Sequence, residues 1–228
     1  MEAIVLAGGL GTRLRSVVPD LPKCMAPING IPFLSYLMDH LTEQGVSNFI
    51  FALGYKSNEF LDFLYTKLPQ NNFSFVIEDE PLGTGGALKL ALDKTKEENI
   101  IALNGDSLYK VNLKELMEFH KANMSNCTLA LKPMQSFERY GSVEINELSN
   151  IVSFKEKKFM QYGLINGGVY AIHVASFLSL PLPTKFSLEK GYLEKYSKDL
   201  KFFGNVQEAY FIDIGVPEDY SKAQIELK

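Results

Sequence analysis

Four short apolar runs, separated by segments with helical periodicity, constrain the first half of this chain more than any other feature. Ala3–Ala7 ends on Gly8-Gly9, Phe49–Leu53 on Gly54, and Ile100–Leu103 on Asn104-Gly105-Asp106; Phe73–Ile77 is the fourth. The first three are continuously apolar rather than alternating, as a strand covered on both faces must be, while Phe73–Ile77 carries Ser74. Between them, Phe33, Leu34, Leu37, Met38 and Leu41 repeat at helical spacing with Gly45 beyond as a stop. Phe60, Leu61, Phe63, Leu64 and Leu68 mark a second helix over Asn58–Leu68 that Pro69 ends, and Ala87–Thr95 reads as a third. Strand–helix–strand repetition predicts parallel pairing through right-handed crossovers.

The second half has a different rhythm. Thr128–Lys132, Gly141–Ile145, Ile151–Phe154 and Gly168–Ile172 read as strands with few helices between them, which predicts an antiparallel or mixed extension of the same sheet. Ser187–Tyr196 is expected to be a helix, Tyr210–Ile214 a last strand and Glu218–Leu227 a closing helix. No linker, repeat or low-complexity stretch divides the 228 residues, so one α/β domain is expected. Its first half spans about 1–110 and its second about 111–228.

Composition narrows the function classes. With 46% hydrophobic and 22% charged residues the chain is neither disordered nor fibrous. A domain of this length buries roughly 70–75% of its unfolded surface, so it needs no disulfide or structural metal. A net charge of −4 disfavours a general nucleic-acid binder. The apolar start is too short for a membrane span or signal core, so a soluble cytoplasmic protein without a membrane partner is expected. Cys24 and Cys127 are the only cysteines and read as reduced thiols. His40, His120 and His173 lack zinc spacing. No pattern specifies an oligomeric state.

The chemistry concentrates in strand-end turns. Leu6-Ala7-Gly8-Gly9-Leu10-Gly11-Thr12-Arg13-Leu14 places three glycines directly after a buried strand, where backbone N–H groups can approach an anion unobstructed. It lacks the third glycine of a dinucleotide fingerprint and the Gly-Lys-Ser/Thr of a P-loop. It carries Arg13 instead, whose guanidinium can hold phosphate oxygens in bidentate fashion. Lys23, stiffened by Pro22, is a second candidate for the same phosphates. Glu80-Pro81-Leu82-Gly83-Thr84-Gly85-Gly86-Ala87 is a second glycine cluster after a strand, and Glu80 offers a carboxylate that suits the adjacent N1–H and N2–H2 of guanine. Asp106 and Asp213 each end a strand, and two aspartates with substrate phosphates make an ordinary Mg²⁺ site.

Taken in order, the Gly8–Leu14 segment with Lys23, Pro81–Ala87, Asp106, Phe154-Lys155-Glu156-Lys157, Asn166-Gly167-Gly168 and Ile212–Pro217 resemble the sugar-1-phosphate nucleotidylyltransferases. The resemblance runs from Ala3 to about Tyr220 and is strongest to the D-glycero-α-D-manno-heptose 1-phosphate guanylyltransferases. Cys24 departs from the proline usual after the lysine in that family.

The resemblance implies a single Rossmann-like domain with a mostly parallel mixed sheet flanked by helices. It implies that Leu6, Ala7, Gly8, Gly9, Gly11 and Thr12 hold the nucleotide, with Arg13 and Lys23 on the triphosphate. Glu80, Gly83 and Thr84 would border the base, and Asp106 with Asp213 would carry Mg²⁺. Tyr140, Gly141, Glu156, Asn166 and Gly167 would line the sugar, with Lys157 on its phosphate. Arg13, Lys23 and Asp106 would be the catalytic set. The implied substrates are a nucleoside triphosphate, most simply GTP, and a sugar 1-phosphate.

Such a transfer needs no protein nucleophile, because a sugar phosphate is already largely ionised at neutral pH. The absence of a Ser/His/Asp or Cys/His arrangement is consistent with it. A glycosyltransferase would carry an Asp-x-Asp pair where this chain has Asp106-Ser107-Leu108. A nucleotide-sugar sensor would be expected to lack Arg13 or one aspartate. A mannose 1-phosphate enzyme would share most of the site.

Overall fold

The structure is a computed structural model that describes residues 1–9, 13–14, 17–19, 21–54 and 56–228. Gly11 and Thr12, both expected to hold the nucleotide, lie outside the described residues. The chain opens with β1 (Glu2–Leu6), a small hairpin β2 (Pro27–Ile28) and β3 (Ile31–Pro32), and α1 (Phe33–Glu43). It continues through β4 (Asn48–Leu53), α2 (Ser57–Lys67), β5 (Phe73–Ile77), α3 (Gly83–Leu92) and β6 (Asn99–Asn104). The four strands expected from apolar runs are all present, and they pair in parallel as β5-β4-β1-β6.

Beyond β6 lie β7 (Ser107–Tyr109), α4 (Leu113–Ala122), β8 (Cys127–Phe137), β9 (Ser142–Ile145), β10 (Ile151–Lys155) and β11 (Met160–His173). Then come α5 (Val174–Leu178), a π-helical segment Glu189–Glu194, β12 (Phe202–Val206), β13 (Phe211–Asp213) and α6 (Pro217–Glu226). β11 runs antiparallel to β6, β8 and β9, and so joins the second half to the parallel strands in one nine-stranded mixed sheet. The α/β class and the mixed extension agree with expectation.

The short β2, β3, β7 and α5, and β12, are not among the expected elements, β8 runs on past Lys132 to Phe137, and three further elements also differ. β11 is far longer than Gly168–Ile172, because a register shift between Asn166 and Tyr170 interrupts its apolar pattern without ending its pairing with β8. α3 starts a turn before Ala87, at the glycines themselves. α4 has no counterpart in the expected elements. Its buried stripe is Leu113, Leu116, Met117 and His120, and one of the four is a histidine that does not read as core. Its start is marked by Asn112, whose side chain accepts the Glu115 N–H, as an N-cap does.

Two apolar layers cover the sheet. One joins Phe33, Leu34, Leu37 and Leu41 of α1, Phe60 and Leu64 of α2, Leu116 of α4 and Ala223 of α6. The other joins Leu88 and Leu92 of α3, Phe177 of α5 and Tyr192 and Leu193 of the π-helical segment. Cys24 and Cys127 are both buried and unpaired by disulfide. Among the described residues no helix is long and apolar enough to cross a membrane.

Candidate functional site

The carboxyl ends of β1 and β6, with Glu78 just beyond β5, open on a cavity of about 460 Å³. Parallel pairing brings these ends level. Leu6 lies beside Ala52 on one side and Asn104 on the other, and the Gly105 N–H donates to the Leu6 carbonyl at 2.9 Å. Ligands bind α/β sheets at this edge because the loops there leave the sheet in diverging directions. Leu6, Ala7, Gly8, Gly9 and Arg13 line it, together with Gly83, Thr84, Lys23, Asp106 and Gly215. Nine of the twelve residues expected at the nucleotide thus meet in one place.

Gly8 shows why the first turn has no side chain. A Cβ there would stand 2.1 Å from Glu78 Oε1. The glycine therefore lets the Glu78 carboxylate reach the cavity wall. Glu78 Oε2 accepts the Leu82 N–H at 2.7 Å, and burial holds the carboxyl above its ordinary pKa against that hydrogen bond. Glu80, the carboxylate expected to border the base, is exposed and lies outside the residues lining the cavity, whereas Glu78 is among them. The two-residue offset reflects where β5 ends: Glu78 still donates its N–H to Leu53, so its side chain remains held against the sheet.

Lys23 leaves a short turn after Pro22 and is nearly buried. Its Nζ donates to Asp106 Oδ2 at 2.6 Å and to Asp213 Oδ1 at 3.3 Å. Asp213 Oδ1 also accepts the Gly215 N–H at 2.7 Å. Burial, reinforced by the neighbouring Asp106 charge, raises the Asp213 pKa, and the Lys23 ammonium opposes the rise. The lysine expected on the triphosphate thus sits between the two aspartates expected on a metal. Cys24 lines the cavity too, but burial and Asp106 push its thiol up to about 12, which leaves no thiolate to act as nucleophile.

The residues expected at the sugar are distributed differently. Tyr140 borders a second cavity of about 350 Å³ with Arg139, Phe211, Asp213, Asp219 and Lys222. Its ring meets the edge of Phe211, which in turn meets Tyr109, and Gly167 packs against the Tyr109 ring. Asn166 sits at the β11 register shift, donating to Tyr170 Oη at 2.9 Å and accepting the Gly168 N–H at 3.0 Å. Gly168 abuts Asn104, which lines the first cavity. Gly141 lies against the Lys155 carbonyl. Glu156 and Lys157 are exposed in the turn between β10 and β11 and border neither cavity. Asn104, Gly105 and Gly215 complete the first cavity; their signal was adjacency to Asp106 and Asp213 in the same strand-end turns. Arg139, which pairs with Asp219 on α6, had none.

The cavity therefore offers glycine amides and two cationic side chains for phosphate, with two convergent carboxylates beside them. Among the described residues no cluster of three or more His, Cys, Asp or Glu side chains is placed to hold a metal.

Known proteins point the same way. The chain is 49% identical to a D-glycero-alpha-D-manno-heptose 1-phosphate guanylyltransferase of Aneurinibacillus thermoaerophilus, over 100% of this chain and 99% of that one. It superposes on HddC from Yersinia pseudotuberculosis with a TM-score of 0.90 at 39% identity, covering 100% and 99% of the two chains. The same protein complexed with GMP-PN gives a TM-score of 0.88 at 38% identity, with the same coverage. A family model described as nucleotidyl transferase matches residues 2–228. With that match spanning both cavities and the whole sheet, the chain belongs to the nucleotidyl transferase family.

Proposed function

We propose that this protein transfers GMP from GTP to D-glycero-α-D-manno-heptose 1-phosphate, giving GDP-heptose and pyrophosphate. The convergence of Lys23, Asp106 and Asp213 below the glycine turn carries the reading, together with the guanylyltransferase relative of the same length. A phosphate oxygen of the sugar attacks the α-phosphorus of GTP, the bond from that phosphorus to the α–β bridging oxygen breaks, and the electron pair leaves on pyrophosphate. The reaction belongs in the cytoplasm, where nucleoside triphosphates are supplied.

The donors present fit Mg²⁺. Asp106 and Asp213 supply hard oxygen ligands that already converge on one cation, the Lys23 ammonium, and Mg²⁺ habitually takes one or two carboxylates with substrate phosphates. Asp106 and Asp213 would hold the ion, which when bound neutralises phosphate charge and orients the α-phosphate. Arg13 and the Gly8-Gly9 amides hold the β- and γ-phosphates and stabilise the departing pyrophosphate. Lys23 holds the two carboxylates together beside the cavity that would receive the phosphates. Glu78 takes the base donors. Tyr140, Gly141, Asn166 and Gly167 receive the sugar, and Glu156 with Lys157 would close over it from the β10–β11 turn.

The test is pyrophosphate release from purified protein with each of four nucleoside triphosphates and a panel of sugar 1-phosphates, with Mg²⁺ present. GTP with the manno-heptose phosphate should give the highest kcat/KM. A higher value with mannose 1-phosphate would overturn the heptose assignment while leaving guanylyl transfer in place.

A further inference from the structure

We infer that Glu189 is a positioning residue that sets the polarity of the Thr84 hydroxyl and thereby the preference for guanine over adenine. Glu189 opens the π-helical segment and lies 105 residues from Thr84 in the chain, yet its Oε2 accepts the Thr84 hydroxyl at 3.1 Å. The same oxygen accepts the Ser187 hydroxyl at 2.6 Å. An ionised carboxylate can only accept, so the single Thr84 proton is committed to Glu189 and turned away from the cavity. Thr84 Oγ1 also accepts the Leu188 N–H at 2.9 Å. What Thr84 has left for a ligand is one lone pair.

The segment carrying Glu189 is fitted to the base loop. The Gly85 and Gly86 N–H groups donate to the Phe186 carbonyl at 3.0 and 3.3 Å, and the Phe186 N–H donates to the Leu82 carbonyl at 2.9 Å. A Cβ on Gly85 would stand 2.2 Å from the Phe186 ring. The glycines of Gly83–Ala87 therefore serve two surfaces, the cavity on one side and this segment on the other. Rigid docking gives the Glu189–Thr84 bond a fixed direction.

With Thr84 restricted to accepting, and Glu78 a carboxylate on the same cavity, these two side chains offer it acceptors alone. Guanine presents N1–H and N2–H2 donors along its pairing edge; adenine presents the N1 acceptor there. Acceptor facing acceptor penalises ATP. This inference rests on the guanylyl-transfer reading above.

Glu189→Gln keeps the shape but can donate its amide N–H to Thr84, releasing the hydroxyl proton toward the cavity. The ratio of kcat/KM for GTP over ATP should fall about tenfold, the worth of one hydrogen bond. The KM for GTP should rise while kcat stays within about twofold and the KM for sugar phosphate is unchanged. Thr84→Val should lower the ratio similarly, and adding Glu189→Gln to it should change nothing more, as expected for one coupled pair. Thr84→Ser, which keeps the hydroxyl, should keep the preference. A GTP preference that survives Glu189→Gln, an equal loss with both nucleotides, or a Glu189→Gln effect that persists without the Thr84 hydroxyl would overturn the inference alone. A wild-type enzyme with no preference for GTP would overturn the guanylyl reading, and this inference with it.

Discussion

Lys23 places one positive charge between two carboxylates, so the Lys23–Asp106–Asp213 cluster keeps a formal excess of one negative charge when all three are ionised. A cation entering beside phosphate would meet ligands already gathered, which lowers the cost of ordering them. Asp106→Asn and Asp213→Asn keep the shape but halve the carboxylate charge. Each should lower kcat by a factor of about 10² or more, with thermal unfolding little changed because both side chains sit at strand ends. Turnover that stays near wild type at limiting Mg²⁺ would remove them from the metal. The base side separates two neighbouring carboxylates. Glu78→Gln should narrow the preference for GTP over ATP by about tenfold, as loss of one charged hydrogen-bond partner does. Glu80→Gln, on an exposed residue outside the cavity lining, should leave it intact, and kinetics with both nucleotides decides between them.

At the scale of elements, α4 shows how a helix can be pinned by a polar residue. His120 is buried on its sheet-facing side, with Nδ1 2.9 Å from Thr128 Oγ1 of β8 and Nε2 3.0 Å from Asn99 Oδ1 of β6. Burial, with smaller contributions from His173 and Lys121, lowers its pKa from 6.5 to about 4. The unfolded chain takes up a proton near pH 6.5 that the folded chain refuses until about pH 4, so this residue's contribution to stability is complete above 6.5 and declines as pH falls between those values. The decline should reach about 3 kcal/mol from this residue. Urea denaturation from pH 7.5 to 4.5 should show that slope in wild type and a shallower one in His120→Gln. Equal slopes would locate the acid sensitivity elsewhere. The helix was illegible because a histidine completes its stripe, whereas the apolar runs of β1, β4 and β6 were legible because strands covered on both faces need no alternation.

For the whole molecule the sheet decides cooperativity. Val169, Tyr170 and Ala171 of β11 pair with Leu103, Ala102 and Ile101 of β6, so one continuous strand pair hydrogen-bonds the second half to the first. Both apolar layers cross that boundary as well, one from α1 to α6 and the other from α3 to the π-helical segment. Residues 1–110 and 111–228 should therefore unfold together. Tyrosine fluorescence and far-UV circular dichroism are expected to give one coincident thermal transition, raised as a whole by GTP. Two separated midpoints, with GTP moving only one, would show independent halves.

The sequence by itself determined the parallel strands, the glycine turns that must follow them, and the charged residues carried by those turns. These are local matters: buried strands are apolar throughout, a crowded turn excludes a Cβ, and strand ends at this edge face the ligand. Tertiary structure alone decided which charges meet. Lys23 lies 190 residues from Asp213, and neither position carries a pattern naming the other. Glu78 rather than Glu80 reaches the cavity because the end of β5 is fixed by its pairing with β4 and by the space left at Gly8. Glu189 comes to Thr84 through the packing of Phe186 against glycines. Contacts between distant segments depend on how layers stack on a sheet, and that stacking is a property of the assembled core rather than of any window of sequence.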